Sequence, residues 1–415
     1  MAEPPVPSLL GRVIDLDIGP VAQGGSCVAR HDGRVVFVRH ALPGERVRAR
    51  ITEDRHASYC RADAVEVLQP SPARVPPPCV HARPGGCGGC DWQHVAGPAQ
   101  RELKAAVICD LFLRIAALDV TSLLGEVREL PGGLLGWRTR ITYAADPSGR
   151  LGLHQHRSSE VELLETCPLG VPGVGDAAAL RGDWPDCTGV EVSSAANGVA
   201  VLTHRPGPGR HARGRRPPDL VELAAGPPQL RYRLSGQDFT VRAGGFWQVH
   251  PHAAQAFADA LLAATRPVAG ETIVDLYAGA GALTAVLAEA VGVTGTVVGV
   301  ESSAVAAADA ANNLARLPWA EVRQARVGAL TLAELGLAPD VVVLDPPRSG
   351  AGEQVMASLL GSGARTIGYV ACDPAALARD VRVAIQAGWR LASLVAFDAF
   401  PMTHHVECVA ALVPA

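Results

Sequence analysis

From about residue 251 onward the chain alternates helical runs with short apolar strands, and that alternation constrains the fold more than any other feature. The runs AQAFADALLAAT, TIVDLYAG, TVVGVES, PDVVVLDPP, RTIGYVACDP and WRLASLVAFDAF follow one another in order. Strands that are apolar at successive positions are buried on both faces, as in a parallel sheet covered by helices. Open sheets of this kind gather ligands and reactive groups beyond the carboxyl ends of their strands.

Three motifs fall at those ends. The first is DLYAGAG, with Glu301 twenty residues past Gly281. Glycines let a backbone approach a ligand closely at a helix N-terminus, and an acid ending the next strand can bind ribose hydroxyls. A dehydrogenase fingerprint would be G-x-G-x-x-G, whereas Gly279 and Gly281 are followed by Leu283 and Thr284. Glycines serving only a tight turn are the alternative. The second motif is DPPR, where Asp345 closes the VVVL strand and two prolines fix its exit. The third is YVACDP, with Cys372 placed 27 residues after Asp345 and 35 before Glu407 of HHVECVA. A cysteine on an apolar run is ordinarily a core thiol. At a strand end beside Asp373 and Pro374, it can instead be a nucleophile. Cys408 is the rival thiol, but on a strand it should point opposite to Glu407, into the core.

Composition sets the bounds. A chain of 415 residues with 48% hydrophobic and 19% charged side chains supports two or three domains with sizeable cores. The net charge of −4 argues against a strongly basic nucleic-acid binder, and Lys104 is the only lysine. The opening MAEPPVPSLL has no basic leader, so no signal peptide is expected. The apolar stretch from Thr272 to Val300 is broken by Asp275, Glu289 and the AGAG turn, which favours strand–turn–helix–strand over a membrane span. A cytoplasmic protein is expected, in which ten cysteines serve as ligands, nucleophiles or core residues.

Residues 8–70 alternate short strands with GG, DG and PG turns, the pattern of an OB-like β-barrel. Such barrels often bind single-stranded nucleic acid. After SPARVPPP come Cys79, Cys87 and Cys90 in CVHARPGGCGGCDWQH, then a helical run over about 99–117. Cys167 in ETCPLG completes a set of four thiols, which suits structural zinc or a [4Fe–4S] cluster; the residues alone leave both open. The run HRPGPGRHARGRRPP reads either as a phosphate contact or as a solvated insert. His404 and His405 flank the Glu407 strand and either line the site or are ordinary satisfied polar residues.

Taken in order, GGFWQVH, DLYAGAG, VGVES, VVLDPPRSG, YVACDPAALARD and HHVECVA resemble the RNA (uracil-5)-methyltransferase family with an N-terminal TRAM domain. The resemblance covers essentially the whole chain. It implies a multidomain α/β protein: a TRAM barrel at 8–70, a central mixed α+β domain at 71–247 with the four-Cys cluster, and a Rossmann-like class I methyltransferase domain at 248–415. It also implies that Cys372 adds to C6 of a uridine and that Glu407 removes the C5 proton. S-adenosylmethionine would lie along Tyr277, Gly279 and Gly281 with its ribose on Glu301, bordered by Gln248 and Asp345. The CGGC…QH pattern with a distant Cys-Pro resembles the iron–sulfur members, which favours a [4Fe–4S] cluster over zinc on Cys79, Cys87, Cys90 and Cys167. Those members point to ribosomal RNA as substrate. The same chemistry on transfer RNA, a non-catalytic RNA-binding or assembly protein on this fold, and cytosine-5 methylation are the rival expectations.

Overall fold

The computed structural model describes residues 8–56, 58–207 and 219–415; residues 208–218 of the arginine-rich run lie outside them. Five strands, Val13–Asp17, Cys27–His31, Arg34–Arg39, Arg46–Glu53 and Tyr59–Gln69, make the first sheet. Period-two patterning drives it: Val47, Ala49 and Ile51 are buried while Arg46, Arg48 and Arg50 face solvent. The sheet order is first, fourth, fifth, third, second, with the third and fifth strands parallel. Its outer strands curl together where Gly19 N–H donates to Val28 O and Val28 N–H donates to Pro20 O, both at 2.8 Å. A Cβ on Gly19 would lie 2.9 Å from that Val28 oxygen, so glycine permits the closure.

A six-stranded antiparallel sheet follows, ordered Leu220–Ala225, Gly198–Arg205, Gly189–Ala195, Arg140–Ala145, Leu151–His154, Val161–Leu163. The helix preceding it, Gly97–Ala116, packs instead against helix Pro374–Gln386. Its Ile108 and Phe112 join the core beneath the C-terminal sheet. The hairpin Gln229–Leu234 and Gln237–Arg242 also belongs to that C-terminal unit. Thr240 N–H donates to Asn313 Oδ1 and Arg242 N–H to Asp309 Oδ2, both on helix Ala304–Leu314.

The C-terminal sheet has eight strands in the order Ala320–Gln324, Thr296–Glu301, Thr272–Leu276, Val341–Leu344, Thr366–Ala371, Glu407–Pro414, Trp389–Asp398, Arg128–Glu129. The first five are parallel, and Glu407–Pro414 runs antiparallel to Thr366–Ala371. Val341–Leu344 and Thr366–Ala371 are buried at every position, which is why they are apolar apart from Thr366. The chain reverses its direction of travel across the sheet between Thr272–Leu276 and Val341–Leu344, the switch point where a crevice must open. Among the described residues no helix is long and apolar enough to cross a membrane.

Candidate active site

The first strand beyond the crevice ends in a strained turn. Tyr277 has φ 67°, a left-handed conformation uncommon for a residue with a side chain. Gly279 follows at φ 56°, and a Cβ there would touch nothing, so this backbone faces open space. Gly281 serves differently: a Cβ would come within 3.1 Å of Ala310 Cβ, so it lets two helices approach. Glu301 accepts Gly279 N–H at 2.9 Å and Ser303 N–H at 2.6 Å, which fixes its carboxylate against the turn.

Sheet register brings the reactive pair together. Ala371 stands opposite Cys408 on the antiparallel neighbour, so the next residue, Cys372, and the first residue of that neighbour, Glu407, meet at one end. A cleft of about 1090 Å³ is lined by Gln248, Tyr277, Gly279, Glu301, Asp345, Cys372 and Glu407. Of the residues expected on the nucleotide side only Gly281 stands back from it. Cys408 is fully buried in the core, on the side the strand alternation requires.

Burial dominates the electrostatics. It pushes the Cys372 thiol up to about 12, with Glu407 and Asp345 adding to the rise and Arg348 opposing it. Glu407, only 4% exposed, is held well above the ordinary carboxylate range by burial and then by Asp345. Asp345 is pushed up to about 7 by burial and by Asp275. Asp275, which is also buried and raised to about 7, receives a hydrogen bond from Thr284 Oγ1 at 2.6 Å, while its Oδ1 has no partner. It lines a narrow extension of the cleft with Trp247, Phe257 and Gln248. Burial thus favours the neutral forms of Cys372, Glu407, Asp345 and Asp275.

Sequence reasoning missed three cleft residues. Arg348 lies within the quoted DPPRSG and Asp275 within VDLYAGAG, so both were in view without a role. Phe246, 63% exposed on the cleft wall, was signalled by GGFWQVH.

The four cysteines expected as cluster ligands lie elsewhere. Cys79, Cys87, Cys90 and Cys167 line one cavity of about 270 Å³ together with Arg138, which also lines the cleft. Gln93 links two of them: Cys79 N–H donates to its Oε1 and its Nε2 donates to Cys90 Sγ, both at 3.1 Å. Gly89 N–H donates to Cys87 Sγ at 3.3 Å. Burial raises Cys87 to about 11 and Cys90 further. Among the described residues no three His, Cys, Asp or Glu side chains stand close enough together to hold a metal ion.

A barrel joined to a doubly wound sheet, with a glycine turn, a strand-end thiol and a facing carboxyl, defines a TRAM-bearing class I methyltransferase. Residues 7–65 match the TRAM domain, and residues 236–413 match the tRNA (Uracil-5-)-methyltransferase family. An uncharacterized RNA methyltransferase of Streptomyces avermitilis is 44% identical over 430 residues, covering 98% of this chain and 99% of its own. Another from Bifidobacterium longum is 36% identical over 428 residues, with 94% of each chain covered. The crystal structure of Pyrococcus abyssi tRNA (uracil-54, C5)-methyltransferase in complex with S-adenosyl-L-homocysteine shares the fold. It matches with a TM-score of 0.69 at 21% identity, over 96% of this chain and 100% of that one. The chain belongs to the RNA (uracil-5-)-methyltransferase family and is an S-adenosylmethionine-dependent RNA methyltransferase.

Proposed function

We propose that this enzyme converts uridine to 5-methyluridine in ribosomal RNA, in the cytoplasm, with Cys372 as nucleophile and Glu407 as base. The observation that carries the reading is the register that sets Cys372 beside Glu407 on the wall of the cleft that also holds the glycine turn. C5 of uracil is a weak nucleophile. Cys372 Sγ forms a bond to C6, the C5=C6 pair shifts into an enolate, and C5 takes the methyl group from the sulfonium donor. Glu407 then accepts the C5 proton, the enolate re-forms the C5=C6 bond, and the C6–Sγ bond breaks to release the thiolate. A carboxylate whose affinity for protons burial has raised suits that step. The target uridine must be unpaired or flipped for Sγ to reach it.

S-adenosylmethionine fits the residues present. It carries positive charge, and the cleft offers Asp345 and the orphaned Asp275 Oδ1. Tyr277 and Gly279 present the close backbone, Glu301 the ribose acceptor, Gly281 the helix contact behind them, and Gln248 the border with the base. The four thiols have the donor type of a [4Fe–4S] cluster and line one cavity with N–H groups aimed at sulfur, but as they stand no three are close enough together to hold a metal ion, so a cluster requires them to draw in. Cys79, Cys87, Cys90 and Cys167 would hold it as a structural or RNA-organising unit, because uracil methylation has no redox step.

A second reading keeps the chemistry and changes the RNA. The matched family and the archaeal structure are both named for transfer RNA. Nucleoside mass spectrometry on separated ribosomal and transfer RNA from a deletion strain decides between them. Loss of 5-methyluridine from ribosomal RNA alone supports the proposal, and loss from transfer RNA alone replaces it. Restoration by the wild-type gene but not by Cys372→Ala ties the loss to the thiol.

A further inference from the structure

The proton on Cys372 has no acceptor among the groups used above. Glu407 and Asp345 are themselves raised, and each oppose a thiolate when ionised. Cys372 has a second exposure, however. Together with Arg348 it lines a separate chamber of about 90 Å³. The barrel loop Ala22–Gly25, Lys104 of helix Gly97–Ala116, Asp373, His404 and His405 complete its walls.

His404 is held there in a defined way. Its Nδ1 lies 2.6 Å from Asp91 Oδ2, and its backbone N–H donates to the same oxygen at 3.2 Å. A carboxylate at that distance keeps the Nδ1 proton and leaves Nε2 as an acceptor. Gly25 allows the fit, since a Cβ there would stand 2.9 Å from His404 Cβ and 3.2 Å from Asp91 Cβ. The neighbouring His405 has no such partner. Burial, then His404 and Arg348, drive it down to about 3, so it stays neutral. The remaining charges facing the chamber are Arg348, Asp373 and Lys104, and Lys104 is paired with Asp398 at 2.5 Å.

We propose that His404, positioned by Asp91, accepts the Cys372 proton across this chamber, which is large enough for a relaying water. The inference rests on Cys372 being the nucleophile. The S–H bond breaks, its electron pair stays on Sγ, and an N–H bond forms at Nε2. The imidazolium sits against Asp91 and returns the proton to Sγ after the C6–Sγ bond breaks. It places the barrel loop in the activation machinery, because Ala22–Gly25 close the chamber.

The test reads the thiol directly. Full-length wild type, His404→Gln and Asp91→Asn are treated with iodoacetamide across the neutral to alkaline range, and alkylation of the Cys372 peptide is followed by mass spectrometry. His404→Gln should slow Cys372 alkylation about 10²-fold near neutrality. The deficit should close as pH rises and the thiol ionises without help. Asp91→Asn should show the same convergence with a smaller deficit, and it serves alone should His404→Gln not fold. Added imidazole should restore part of the neutral rate in His404→Gly, which a purely structural histidine would not allow. An unchanged profile, or a slowdown by one constant factor at every pH, overturns the proposal. Methylation by Cys372→Ala would instead overturn the assignment of the nucleophile, so the two failures are distinguishable.

Discussion

Replacing Lys104 by Met tests how helix Gly97–Ala116 is tied to the strand end and turn that lead into His404 and Glu407. Lys104 Nζ lies 2.5 Å from Asp398 Oδ1 and 3.1 Å from Phe400 O, and both charged side chains are at most 1% exposed. Asp398 Oδ2 has no other partner. Lys104→Met keeps the side chain's length and apolar stem and leaves a buried carboxylate alone. Breaking such a pair costs about 3–5 kcal/mol. A second route to the magnitude sets its ceiling. A stripped carboxylate takes up a proton instead of staying charged, at about 1.4 kcal/mol for each pH unit above its ordinary value. At about pH 7 that is roughly 4 kcal/mol, so the loss should fall at about 3–4 kcal/mol. Urea unfolding followed by near-ultraviolet circular dichroism measures it. The deficit should shrink toward about pH 4, where protonation is cheap, and Lys104→Met/Asp398→Leu should recover most of it. A single-variant loss below about 1 kcal/mol would refute the reasoning. So would a double variant no more stable than the single, or a deficit that does not vary with pH.

Glu407→Gln should transfer the methyl group and then stall, accumulating a covalent RNA–protein complex on a denaturing gel; normal turnover would remove Glu407 from the mechanism. Burial raises Asp275 and Asp345 to about 7, so the folded cleft keeps protons that the unfolded chain has released, and stability falls as pH rises through about 7. His40 and His405 are driven down to about 3, and His94 and His250 to about 4, so the unfolded chain gains protons first below about pH 6.5 and stability falls there too. The melting midpoint should peak at about pH 6–7, and Asp275→Asn should flatten the alkaline limb; a midpoint still climbing at about pH 8 contradicts this. Protein purified without oxygen should be brown with about four iron atoms, and Cys90→Ser should lose both colour and iron. Colourless protein with stoichiometric zinc would reject the cluster.

The strands of the C-terminal sheet are legible because burial on both faces writes an unbroken apolar run, as in VVVL and IGYVA. The barrel is legible for the opposite reason: one wet face writes the alternation of RVRARITE. Strand-end position then selects Asp345, Cys372 and Glu407 from many other acids and thiols. Long-range pairing leaves no such local trace. Helix Gly97–Ala116 reads as a helix from its own residues, but nothing local says that it packs on Pro374–Gln386. The two-residue strand Arg128–Glu129 is too short to carry a pattern. Asp91 and His404 are 313 residues apart, and neither neighbourhood signals the other. Arg348 escaped because an arginine after two prolines looks like any exposed turn residue until the fold sets it beside Cys372.

The arrangement of charge explains why two cavities share one cysteine. Cys372, Glu407 and Asp345 are all pushed toward their neutral forms by the same burial, and Arg348 is the opposing charge. A cationic methyl donor entering such a cleft favours ionisation of its carboxyls. Each carboxylate so formed raises the thiol further, because like charges at close range disfavour one another. The donor's charge favours the thiolate and the carboxylates alike and so does not select the thiol, while a carboxylate base on the cleft side would compete with the step it serves. A base on the other side of the cysteine escapes that conflict. His404 meets the requirement, since its charge, once protonated, is balanced by Asp91 outside the cleft and Glu407 is left free for the C5 proton.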